Sequence, residues 1–323
     1  MHIVKYDKDY KGVWDNFVNY SRNGTVFHKQ GFLEYHGDRF EDHSLMFFDK
    51  KNNLIAVFPA GKQNRDDEII LRSHPGSSYG GVVMDNSLGV SNTKEIVDAI
   101  ECYGNTNGFN SIELRTSPRV FHKYPSEEID YILWYNGFEI AHIELSDAVM
   151  LYPKTEVEVL GMFKDDTSRS ISKARKAGVV VTLSNSFEDY WRILTKNLSL
   201  RHRANPTHTL EEIKKIDCIL PGAIRLYCAY YNDEVIAGTL VFCCNSNAYH
   251  TFYIAQDYEY QNLRPLNVLF HDVLLYLREE GIKYLNFGIS TEYGGTAMNE
   301  GLFRFKEGFG ARGVVRRYYR KEL

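Results

Sequence analysis

Three things are scarce in this 323-residue chain, and each scarcity excludes something. Cysteine occurs five times, at Cys102, Cys218, Cys228, Cys243 and Cys244. An odd set, with two immediate neighbours and no metal-ligand spacing, reads as reduced thiols rather than a disulfide framework, and no metal site is expected. Long apolar runs are lacking: none approaches the ~20 residues that cross a bilayer, and the opening MHIVKYDKDY has no signal-peptide core. The expected location is cytoplasmic, with room for work at the inner face of a membrane. An excess of one charge is lacking too. Lys plus Arg number 38 against 42 for Asp plus Glu, a net charge of −4, which excludes DNA binding by bulk charge.

The remainder is globular in character, with 44% hydrophobic and 25% charged residues. Aromatics reach 14%, with 23 Tyr and 19 Phe, a content that suits packing in strand-rich domains. The length is about twice that of the commonest single-core domain, which predicts two domains.

An internal repeat supports that division. An alternating strand near residue 4 leads to an amphipathic helix around Trp14, Phe17 and Val18. Near residue 180 a β-branched strand leads to Phe187, Trp191, Leu194 and Leu198 at helical spacing. A hairpin follows in each half: SLMFFD with LIAVFPA across Lys50 to Asn53, then IRLYCAYY with VIAGTLVF across Asn232, Asp233 and Glu234. Each half closes with a helix, a glycine stop (Gly108, Gly281) and a strand. Between them SRSISKARKAG reads as a short basic helix capped by Ser168 and stopped by Gly178. The predicted domains are 1–150 and 151–323.

The repeated order resembles the acyltransferase fold of the GNAT superfamily, in tandem: an α/β (α+β) architecture with mixed, largely antiparallel sheets. SRSISKARKAGVVV is similar to the basic helix that opens the second domain of FemAB-type aminoacyltransferases and their BioF2-like relatives. LSLRHRANPTHTLEEI resembles that family's Arg-x-x-Gly-x-Pro segment, without its glycine, and GLFRFKEGFGAR resembles its closing Phe-Lys-x-x-Phe-Gly motif. One departure bears on the donor. Simple GNAT enzymes hold the coenzyme A pyrophosphate with Arg/Gln-x-x-Gly-x-Gly/Ala at a helix start, and here that place reads QNLRPLNVLF, without the glycines.

The resemblance implies a GNAT-fold acyltransferase that moves an acyl or aminoacyl group to an amine of a cell-envelope precursor, such as a nucleotide- or lipid-linked amino sugar or peptide. It implies an acceptor side in the first domain and the donor site in the second. No cofactor is expected to be tightly bound; acyl-CoA or aminoacyl-tRNA would serve as co-substrate. An aminoacyl-tRNA-dependent bridge-forming transferase and a non-catalytic glycan- or peptide-binding module are the alternatives.

Acyl transfer needs a free amine, a polarised donor carbonyl and a proton acceptor. By resemblance Lys306 lies at the donor's reacting end, where an ammonium stabilises an oxyanion or orients the donor. Phe305, Arg264, Arg175 and Lys176 are the further donor-binding candidates. In HTFYIAQDYEY, Tyr253 could protonate the leaving group and Asp257 act as base or merely cap a turn. Arg201 and Arg203, on a predicted loop, suit an acceptor phosphate or carboxylate. The small-residue segment RSHPGSSYGGVV, with His74, Tyr79, Gly80 and Gly81, reads as an acceptor loop or as a tight turn entering a strand. Basic residues gather twice, over 164–176 and over 304–321, a charge that suits coenzyme A phosphates, a lipid headgroup or tRNA.

Overall fold

Asn232 and Asp233 hold φ at 48° and 63°, the left-handed region that these two residues tolerate, and so close a hairpin between two long strands. Asn52, at φ 64°, does the same in the first hairpin. These turns organise a computed structural model that describes residues 1–202 and 204–323, with 201 and 202 as backbone only. The chain forms two compact units. One comprises Met1–Leu145, Tyr293–Thr296 and Val315–Leu323; the other comprises Ser146–Glu292 and Ala297–Val314.

The principal elements of the first unit are β1 (His2–Lys5), α1 (Lys11–Tyr20), β2 (Leu45–Phe48), β3 (Leu54–Phe58), β4 (Ala60–Arg65), β5 (Glu68–Ser73), β6 (Val83–Met84), α2 (Val90–Thr106), β7 (Ser111–Arg115), α3 (Glu128–Tyr135) and the start of β8 (Glu139–Met150). Strands β1, β2, β3 and β6 form one antiparallel sheet. Pro59 stands between β3 and β4, and its missing N–H suits a point where the chain leaves one ladder for another. Strands β4 and β5 form a second hairpin, and β5 runs parallel to β7. One core gathers Phe47, Phe58, Leu71, Ile96, Ile112 and Leu133; a smaller one surrounds Trp14, whose indole donates to the His28 carbonyl at 2.7 Å.

The second unit takes the end of β8 and continues with α4 (Asp165–Lys176), β9 (Val180–Ser184), α5 (Phe187–His202), α6 (Leu210–Ile219), β10 (Ile224–Tyr231), β11 (Glu234–Phe242), β12 (Ala248–Gln256), α7 (Pro265–Glu279), β13 (Tyr284–Ile289), α8 (Glu300–Glu307) and the start of β14 (Arg312–Glu322). Its sheet order is β9-β10-β11-β12-β13-β8, antiparallel except for the parallel pair β12 and β13. Helix α7 lays Val268, Leu269, Val273, Leu274 and Leu277 on the core, the spacing of one helical face. Gly108, Gly178 and Gly281 all carry positive φ at helix ends, as the sequence predicts.

Several expectations are corrected. The end of β14 belongs with the first unit, because Tyr318–Glu322 pairs antiparallel with Ser111–Arg115. Ser168 is not a cap: α4 begins at Asp165, where Asp165 and Asp166 complement the positive helix end. Helix α5 continues to His202, so Arg201 does not sit on a loop.

Candidate functional site

Strands β12 and β13 pair only from Ala248–Tyr284 to His250–Asn286, after which they part. Among the described residues, the remainder of β12, through Gln256, therefore has no strand partner on that side. Beyond the split lies a cavity of about 490 Å3, bordered by Ile254, Ala255 and Gln256 of β12, by Arg264 and Leu266 at the start of α7, and by Leu302 and Phe305 of α8. Asn197, Gln261, Asn267 and Asn299 add neutral polar groups to its wall. The α7 N-terminus supplies a positive dipole end and Arg264 a full charge, so an anion is favoured there.

Arg264 is the N-cap of α7 and sits at φ 59°, ψ 44°, the left-handed conformation a glycine would adopt at little cost. By spacing from Gln261 it stands where the first glycine of the coenzyme A motif would be, and Leu266 stands at the second. Arg264 thus takes a conformation that a glycine would adopt there, and Leu266 stands in the cavity wall.

Lys306, one residue beyond the cavity wall, turns inward and is 1% exposed. Its ammonium donates to the Gly288 and Ile289 carbonyls at 2.8 and 2.9 Å and to Ser290 Oγ at 2.7 Å, with the Asp147 carboxylate at 3.5 Å. Burial brings its pKa down to about 8, and Asp147 opposes that fall. All three N–H bonds are engaged, so the ammonium offers none to a donor carbonyl. Gly288, at φ 76°, follows the bulge that sets in after Asn286, where β13 leaves β12. Lys306 therefore fastens the parted strand in place.

The rest of the closing motif is structural in the same sense. Phe309 is fully buried, and Phe305 packs against Phe270 and Phe309 while its other side borders the cavity. Gly310 has φ 81°, and a Cβ there would lie 2.5 Å from the Met162 side chain.

The remaining candidates are dispersed. The Tyr253 hydroxyl accepts the His208 amide at 3.1 Å and lies 3.0 Å from His208 Nδ1. Asp257 caps the turn at Tyr258–Leu263 and pairs with Lys196 at 3.3 Å, in a separate depression with Glu234 and Tyr260. Arg175 is spent on Asp272, whereas Lys176 joins Arg169 and Lys173 around a shallow pocket on α4. The Arg201 side chain and Arg203 lie outside the described residues.

Of the 72–83 segment, the candidate residues His74, Tyr79, Gly80 and Gly81 are packed inward rather than open to a ligand. His74 is buried, bonds Nδ1 to the Pro75 carbonyl, and has its pKa lowered to about 3 by burial and by His36. Tyr79 lies between Phe27 and Phe121. The Gly80 amide donates to the Arg115 carbonyl at 2.9 Å, and Gly81 takes φ 83°.

The second basic run is also not a free positive face. Arg316 pairs with Glu144, Arg317 with Asp130, Arg320 with Glu68 and Glu113, Lys321 with Glu101, and Arg304 with Glu300. Asp147 and Ser290 were not singled out from the sequence; an Asp leading into the apolar run AVML was the available signal.

The fold so described is a tandem GNAT architecture, and comparison with known proteins agrees. The chain is similar to FemX over 100% of its own length and 98% of that chain, with TM-score 0.75 and 14% identity. It is similar to L-PGS from Bacillus licheniformis over 98% and 92%, with TM-score 0.63 and 11% identity. A tandem GNAT protein from the clavulanic acid biosynthesis pathway is matched over 99% and 98%, with TM-score 0.55 and 10% identity. No curated protein matches the chain in sequence. Residues 163–307 match the family model of an acetyltransferase (GNAT) domain, the stretch that contains the parted strands and the cavity. Residues 163–307 thus carry a GNAT-type domain, and the chain as a whole has the fold of tandem GNAT proteins.

Proposed function

We propose that this protein transfers an acyl or aminoacyl group to an amine of a cell-envelope precursor, with the donor held in the cavity of the second unit. The observation that carries the reading is the separation of β12 from β13 beside the start of α7. An amide-bearing donor arm can pair with the open edge of β12, its anionic end can meet Arg264, and its carbonyl then lies by the split. The acceptor amine attacks that carbonyl directly: a C–N bond forms, the thioester or ester bond breaks, and the amine's proton leaves with the released group. A covalent thiol intermediate is disfavoured, because among the described residues no cysteine borders the cavity and burial raises Cys228 and Cys243 to about 11 and Cys244 well above its ordinary value. The acceptor class rests on the likeness to FemX.

Isothermal titration with acetyl-CoA and a long-chain acyl-CoA tests the donor. Micromolar binding, about −8 kcal/mol, that Arg264→Ala abolishes is the expected result. An absence of heat with both thioesters overturns a coenzyme A donor.

One observation favours the aminoacyl-tRNA version. Arg169, Lys173 and Lys176 line one face of α4, and among the described residues no carboxylate pairs with them. Filter binding of charged tRNA that weakens steeply with salt and with Lys173→Ala/Lys176→Ala would select that donor. Binding of neither donor would leave only the glycan- or peptide-binding module.

A further inference from the structure

The first unit contains a concavity of its own, of about 320 Å3, on the face of the sheet that β5, β7 and β14 build. Leu71, Ile112, Leu114 and Tyr319 are buried with the core, whereas the alternate positions place Arg72, Arg115 and Arg320 along this concavity. Arg65 completes a set of four arginines, against the two carboxylates of Glu68 and Glu113.

Three of the arginines are matched. Glu113 receives both Arg65 Nη atoms at 2.9 and 3.2 Å and Arg320 at 2.8 Å, with Arg72 Nε at 3.8 Å. Glu68 accepts from Arg320 and Ser111. Arg115 is different: among the described residues no carboxylate pairs with its guanidinium. The nearby Glu144 is occupied by the Tyr318 hydroxyl at 2.7 Å and by Arg316 at 3.4 Å. What Arg115 has is one bond from Nη1 to the Ser77 carbonyl at 3.1 Å and the Tyr318 ring 4.6 Å away, while its buried Nε has no partner. Burial, with Arg316 beside it, lowers its pKa to about 10. His142 stacks on Tyr318 at 3.7 Å and walls the same space.

A partly buried guanidinium with an unpartnered Nε and no ion pair is costly, and an anion in contact with it lowers that cost. We infer that this concavity is a binding site for a compact oxyanion, phosphate or carboxylate, seated on Arg115 with Arg72 alongside. It shares no residue with the donor cavity, so it stands or falls independently of the proposed reaction.

Titration calorimetry at low ionic strength tests it, with inorganic phosphate and succinate as separate probes. The protein carries Arg264→Ala, so that the donor cavity contributes nothing. Saturable binding of one probe is expected, and which probe binds identifies the chemistry. Arg115→Gln should weaken it about tenfold or more and Arg115→Lys less, since a lysine keeps the charge but not the fork. Lys94→Ala, a surface cation of the same unit, should leave it unchanged. No saturable binding of either probe, or equal affinity in folded Arg115→Gln, overturns the inference. Should Arg115→Gln fail to fold, Arg72→Gln is measured instead: a loss of about threefold or more supports the site, and unchanged affinity overturns it.

Discussion

The ammonium of Lys306 lies 3.5 Å from the carboxylate of Asp147, and both side chains are almost wholly removed from solvent, at 1% and 2% exposure. Ser290 bridges them, donating to Asp147 and accepting from Lys306. The pair joins α8 to the ends of β8 and β13 at the point where β13 has left β12. A buried ion pair of this kind is weak evidence for net stability, but breaking it by removing one partner is expensive. Its geometry casts Lys306 as a positioning residue for the cavity where a donor is proposed to bind.

Replacing Lys306 by Met leaves Asp147 charged, buried and without its cation, and should cost about 3–5 kcal/mol. Lys306→Met/Asp147→Asn should recover part of that loss. Urea unfolding of the two variants and the parent reads both numbers. Wild-type stability in Lys306→Met would remove the structural role.

The same lysine gives stability a pH dependence of definite sign. Its pKa is about 8 in the folded chain, against about 10.4 when unfolded. Between those values the unfolded chain holds a proton that the folded chain has released, so stability attributable to Lys306 rises with pH across the window. Below pH 8 both states are charged and the penalty of burial is complete. Unfolding free energies of wild type and Lys306→Met should therefore diverge, in favour of wild type, between pH 8 and 10; parallel curves would contradict the assignment.

Arg264 separates backbone strain from charge. A left-handed non-glycine residue costs roughly 1–2 kcal/mol, which Arg264→Gly relieves, partly offset by the unfolded-state freedom of glycine. Arg264→Ala keeps the strain. Both variants should lose donor affinity equally while only the Gly variant holds or gains thermal stability. Unequal donor affinity would show that the backbone shape, not the charge, does the binding.

Gly238 in β11 admits no side chain, because a Cβ would lie 2.6 Å from the ring of fully buried Tyr190. Gly238→Ala should destabilise by about 1–3 kcal/mol, and Gly238→Ala/Tyr190→Leu by less than the sum of its parts. Additive losses in chemical denaturation would count against that contact.

Much of this molecule is written locally. The hairpin turns at Asn52 and Asn232–Asp233, the glycine stops at 108, 178 and 281, and the apolar stripe of α7 each follow from a few adjacent residues, so periodicity and turn chemistry reveal them. The repeat was legible for the same reason, and with it the GNAT fold. What adjacency cannot decide is which partner a long charged side chain finds. Lys306 looks like one cation in a basic run, yet it reaches Asp147 and Ser290, distant in sequence, and ends dry. Arg316, Arg317, Arg320 and Lys321 look like a positive face, yet each meets a carboxylate from another element. His74 and Tyr79 look like an open loop, yet lie inside. Backbone conformation depends on near neighbours; burial, ion pairing and the parting of β12 from β13 depend on segments brought together only by folding, and those decided where the cavity of the second unit lies.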